Sequence, residues 1–122
     1  MSSQSEFDLT VFKKTLKRDK QARLTVVSDS MSPIIKVQEV ISIQYIEDHG
    51  LLKVFDIVIF EQADRLNCHF LAKVDPENDL FVTKSIKNPS DSDYPLESKQ
   101  ILGIVKDKKM SLFSKIRLLL RT

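Results

Sequence analysis

Between Leu24 and Val105 the chain repeats one pattern: a short run of alternating or β-branched apolar residues, then a turn. "LTVV" (24–27) is short and β-branched. "EVISIQYI" (39–46) sets Ile41, Ile43 and Tyr45 on one face and Ser42 and Gln44 on the other, the period-two signature of a half-buried strand. "DIVIF" (56–60) is almost continuously apolar, as a strand buried on both faces must be. "LNCHFLAKV" (66–74) and "LFVTK" (80–84) flank "DPEND", whose Pro, Asn and Asp are turn residues. "EDHG" (47–50) reads as a second turn, "NPSDSDYP" (88–95) as a loop and "QILGIV" (100–105) as a last strand, with Gly103 marking a bulge or a close approach of backbone. Runs this short and this frequent exclude a helical core. They predict a mostly β domain, a coiled antiparallel sheet partly closed like a barrel.

The ends change character. Leu9, Phe12 and Leu16 fall at helical spacing, with Phe7 and Val11 beside them, so a helix is expected over Glu6–Lys20 with Ser5 as its N-cap. Lys13, Lys14, Lys17 and Arg18 gather toward its C-terminal half, where they suit the helix dipole. "MSLFSKIRLLLRT" (110–122) returns to helical spacing through Leu112, Ile116 and Leu119. After Val105 six Lys or Arg face the single acid Asp107, a net +5, while the preceding 105 residues carry a net −3. A basic amphipathic helix at the end of a mildly acidic body suits an anionic lipid interface or a docking face. The expectation is one domain over residues 1–122: an N-terminal helix and arm (1–23), a β-rich core (24–107) and a basic C-terminal helix (108–122).

Several classes are disfavoured. Two glycines in the whole chain leave no GxGxxG or GxxxxGK[ST] phosphate loop. Two histidines and one cysteine lack zinc-ligand spacing, so neither a metal nor another cofactor is expected. The Glu47, Asp48, His49 run reads as a solvated corner. Cys68 stands alone, which precludes an internal disulfide and suits a reducing compartment. No apolar run reaches the roughly 18 residues of a spanning helix, and the polar N-terminus is unlike a secretory signal. A cytoplasmic protein is expected, with peripheral contact at the inner membrane face through the C-terminal helix. No basic stripe runs through the strands, so no nucleic acid is expected as a partner.

One stretch carries chemistry. Ser28-Asp29-Ser30-Met31-Ser32-Pro33 crowds three hydroxyls onto a proline-limited turn. Farther on, Cys68 and His69 are adjacent on a predicted strand, so their side chains point to opposite faces. Cys68 is the natural core residue, which turns His69 the other way. These boxes resemble the type I signal peptidase family and its relatives. The family's nucleophile box reads Ser-Gly-Ser-Met-x-Pro, which residues 28–33 match with Asp29 in the glycine's place. "VQEVISI" stands where a Gly-Asp precedes a strand, "KVFDIVIF" is similar to Gly-Asp-Ile-Val-x-Phe with Phe55 for Gly, and "CHFLAKV" looks like the strand bearing the base. "LFVTKSIKN" resembles Thr-Lys-Gly-Asp-Asn and "ILGIV" resembles Ile-x-Gly-x-Val. The likeness spans Leu24 to Lys106.

The resemblance implies a sheet of the signal-peptidase type flanked by N- and C-terminal helices, and a serine endopeptidase that cleaves an extended segment of a precursor peptide or protein. Ser30 would be the nucleophile and His69 the general base, as in the family's Ser–His branch. Asp91 or Asp93 would orient His69. The Ser30 backbone N–H and the Ser28 hydroxyl would donate to the oxyanion, each worth about 3 kcal/mol in the transition state. In the family's lysine branch the base would instead be Lys73, which shares the strand parity of His69 but lies roughly 13 Å along. The self-cleaving SOS-repressor-like branch needs an Ala-Gly or Cys-Gly site that this chain lacks. Asp29, Phe55, Gln38-Glu39 and Ser85-Ile86 depart from the family's boxes. The alternative they leave is a catalytically impaired member that binds a peptide or protein.

Overall fold

The structure is a computed structural model, and it describes residues 8–87 and 94–109. Helix α1 (Leu9–Asp19) opens the described chain. Its N-cap is Asp8, whose carboxylate accepts from the Val11 N–H, so the helix starts three residues later than its apolar spacing suggests. The expected cap, Ser5, lies outside the described residues. Phe12 and Leu16 are buried, while Val11, off that stripe, is 56% exposed. Lys20 in the left-handed region ends the helix, and Lys17 and Arg18 fill the last turn.

Seven strands follow: β1 (Gln21–Thr25), β2 (Val40–Tyr45), β3 (Ile57–Gln62), β4 (Arg65–Asp75), β5 (Leu80–Lys84), β6 (Tyr94–Leu96) and β7 (Ile101–Val105). They form one curled half-barrel sheet of order β1-β2-β7-β3-β4-β5-β6, every neighbouring pair antiparallel. Register shifts at Ile59/Phe60 and at Leu71/Lys73 bend it. The curl gives the sheet two cores. Ile57, Ile59 and Phe70 pack with Phe12, Leu16, Met31, Ile35, Ile41 and Ile43. Val58, Phe60 and Leu71 pack on the other side with Ile46, Leu52, Phe81, Leu96 and Ile101. The unbroken apolar run of β3 is therefore necessary, because alternate residues serve opposite cores.

Three local departures have physical causes. β1 begins at Gln21, ahead of "LTVV", because its outward residues are polar and only Ala22 and Leu24 face the core. Val26 continues the pairing irregularly, donating to the Glu39 carbonyl and accepting from the Gln38 N–H. Tyr94, Pro95 and Leu96 are not loop but strand β6, paired with Thr83, Val82 and Phe81. A proline is tolerated there because β6 is the sheet's edge. The expected C-terminal helix lies outside the described residues beyond Lys109. Among the described residues no helix is long and apolar enough to cross a membrane.

Gln38 (φ 73°) and Phe55 (φ 76°) both hold left-handed backbone. Gln38 is exposed, so little packing offsets its strain. Gln38→Gly is expected to stabilise the domain by about 0.5–1 kcal/mol. Urea unfolding would check this through a raised midpoint at constant slope.

Candidate active site

The nucleophile turn is built from two short loops in series. Ser32 N–H donates to the Asp29 carbonyl at 3.0 Å, and Ile35 N–H to the Met31 carbonyl at 3.0 Å. The Ser32–Pro33 peptide is cis. Met31 and Ile35 are buried in the helix-side core and pull the turn down onto the sheet. What receives it is an unfilled stretch of ladder. Leu71 spends its N–H and C=O on Asp56 and Phe55, toward β3, so by alternation Cys68 directs its carbonyl to the other flank. On that flank β5 ends at Lys84, opposite Phe70. Ser30 fills the opening: its hydroxyl donates to the Cys68 carbonyl at 3.2 Å. The chain leaving β5 then closes over it, with the Ile86 and Lys87 N–H groups donating to the Ser30 carbonyl at 2.9 and 3.1 Å.

The turn thus reaches β4 at the residue before His69. One peptide unit joins the Cys68 carbonyl to the His69 Cα, so the Ser30 Oγ lies within about 6 Å of that Cα. Cys68 faces the helix-side core, as Met31 and Ile35 of the turn do, so the His69 side chain leaves β4 on the opposite face, the face of Phe60. His69 lies opposite Val58, and its ring stands edge-on to Phe60 at 5.4 Å and 63°. Burial against that wall holds the imidazole pKa below its ordinary value. Cys68 packs against the helix-side core, as strand alternation requires, and burial pushes its thiol up to about 12. It is no nucleophile at neutral pH.

Ser28 and Ser30 face one another: the Ser30 N–H donates to the Ser28 Oγ at 3.2 Å. Ser28 keeps its own proton as a second donor at the same place. Asp29 has no left-handed φ, so its Cβ brings no backbone strain. Its carboxylate pairs with the Lys87 ammonium, which holds it below the usual carboxylate range. Asp91 and Asp93 lie outside the described residues.

The lysine alternative changes with the fold. Leu71 pairs with Thr83 but Lys73 pairs with Val82, so the bulge between them puts Lys73 on the opposite face from Leu71. The parity that Lys73 shares with His69 in sequence is therefore lost. Lys73 is also exposed, without the burial a lysine base needs. The 47–49 corner has its own structural duties: Asp48 accepts from the Gly50 N–H at 2.9 Å, and His49 Nε2 meets the Ile101 carbonyl at 3.0 Å. Among the described residues no group of three His, Cys, Asp or Glu is placed to hold a metal ion.

Sequence reasoning missed Lys87. A lysine in a polar stretch gives no local signal; only the return of the chain from β5 carries it to residues 29 and 30. Comparison of this chain with protein families, with curated proteins and with solved structures finds no match to any of them.

Proposed function

We propose that the protein is a serine endopeptidase of the signal-peptidase type, with Ser30 as nucleophile and His69 as general base. The observation that carries this reading is the seating of the Ser30 hydroxyl on β4 at the residue next to His69. A backbone detail supports it. Gln38 and Phe55 stand where the resembled family has glycine, and both keep the positive φ for which glycine is used. In the catalytic step the Ser30 hydroxyl turns off the Cys68 carbonyl and gives its proton to neutral His69 as Oγ attacks a carbonyl carbon. The Ser30 N–H then exchanges the Ser28 Oγ for the oxyanion, with Ser28 donating beside it. An extended peptide or protein segment would pair along the strand edge. The basic segment after Val105 would hold the enzyme against an anionic inner membrane face.

A fluorophosphonate probe tests the reading. It is expected to label the wild type and to lose at least about 100-fold in rate with Ser30→Ala. Equal labelling of the two would remove Ser30 from the chemistry.

One observation favours a second reading, a peptide- or protein-binding module. The Ser30 proton lies on a backbone carbonyl, where it ties the turn to β4 as a structural bond. On this reading the full chain takes no label yet binds extended peptides unchanged after Ser30→Ala.

A further inference from the structure

Lys87 touches two consecutive residues of the nucleophile turn with two different groups. Its backbone N–H donates to the Ser30 carbonyl at 3.1 Å, and its ammonium pairs with the Asp29 carboxylate. Asp29 is the residue that replaces glycine beside the nucleophile. Its negative charge is one residue from the backbone N–H on which an oxyanion would form, and like charges there oppose one another. Both side chains are about half exposed, 54% for Lys87 and 52% for Asp29. Their ion pair adds little to stability. What the pair changes is the local field at the turn.

We propose that Lys87 is a positioning residue of this site: it draws the Asp29 carboxylate into an ion pair and so neutralises a charge that would repel the developing oxyanion at Ser30. The inference rests on the peptidase reading above and extends it to a residue to which the resemblance gives no role. It also explains how an aspartate is tolerated at that position. The backbone bond from residue 87 fixes where the turn sits, and the side chain of the same residue sets its charge. The two roles separate cleanly, because Lys87→Met keeps the N–H and removes only the ammonium.

The experiment measures the rate of fluorophosphonate labelling at Ser30 in wild type, Lys87→Met, Asp29→Asn and the double variant. Lys87→Met is expected to slow labelling about three- to tenfold, the scale of one unpaired charge roughly 6–7 Å from a forming oxyanion in a solvent-facing site. Asp29→Asn labels at least as fast as wild type. Adding Asp29→Asn to Lys87→Met brings the rate back to within about twofold of wild type, a rescue that a merely structural role would not produce. Lys87→Arg retains the wild-type rate. Labelling of Lys87→Met at the wild-type rate, or a double variant as slow as Lys87→Met, overturns the proposal. The Asp29 carboxyl midpoint, followed by carbon-detected NMR, judges the pair without any activity: it rises in Lys87→Met, and an unmoved midpoint refutes the pairing. A wild type that takes no label overturns the peptidase reading, and with it the role of Lys87 in catalysis, whatever the NMR midpoint says of the pair.

Discussion

His69→Gln is expected to lower Ser30-dependent peptide cleavage by about 10²–10⁴-fold, the range over which a positioned general base accelerates proton transfer. The pH profile should identify the same group. Burial beside Phe60 disfavours the charged imidazolium, so the pKa of His69 in the folded chain lies below its ordinary value. The lowered value favours the neutral base, and the acid fall in rate is displaced below the pH at which an ordinary imidazole would give it. Stability follows the same sign. Because the folded state holds this proton less tightly than the unfolded chain, the stabilisation is complete above the unfolded pKa. It is lost as pH falls from there through the lowered folded value. Urea unfolding at about pH 5 and pH 8 should therefore show a smaller acid-side loss in His69→Gln than in wild type. A variant that retains the wild-type cleavage rate would remove His69 from the mechanism.

Gly103→Ala is expected to destabilise the domain by about 1–3 kcal/mol, the usual penalty for forcing an extra carbon into a packed site. The crowding comes from β2. A Cβ built on Gly103 would stand 2.5 Å from Ile43 Cγ2 and 2.8 Å from the Gln44 carbonyl oxygen. Ile43 is buried and has little room to retreat, and Gln44 belongs to the β2 backbone beside β7, where Gly103 pairs with Tyr45. Gly103 also pairs with Ile59 just before the β3 register shift, so backbone from both neighbours converges on one residue. For a domain of this size each kcal/mol lowers Tm by about 4 °C. Gly50→Ala is the contrast: its nearest contact would be the Asp48 side chain at 3.1 Å, a group that can rotate aside. Calorimetry should find a far smaller shift there. Equal shifts at the two glycines would show that β2 and β7 are not so closely joined at Gly103.

Much of this architecture is written in local pattern. β2, β3, β5 and β7 follow from alternation or continuous apolar runs, because a strand's side-chain period is fixed by its own backbone. Gly103 reads as a bulge or a close approach, and it is a close approach beside a register shift. Pattern fails where the local signal is ambiguous. The two-residue β3–β4 turn is Ala63-Asp64, both at positive φ, without the Asn-Gly that would announce it. β6 is three residues long and contains a proline. The bulge after Leu71, which reverses the facing of Lys73, is a property of two strands paired and of neither alone.

The candidate site divides along the same line. Its residue types were legible: three serines about a proline-limited turn, and a histidine whose neighbour belongs in the core. The seating of that turn on β4 was not. By itself the chain determines which segments become strands and which faces they bury, since those depend on the periodicity of neighbouring residues. Only the folded sheet decides that β5 stops at Lys84, that the vacated flank of β4 takes the Ser30 hydroxyl, and that Lys87 closes over Asp29. Those contacts join residues 38 and 58 positions apart. They are set by register and strand order, which no local spacing contains.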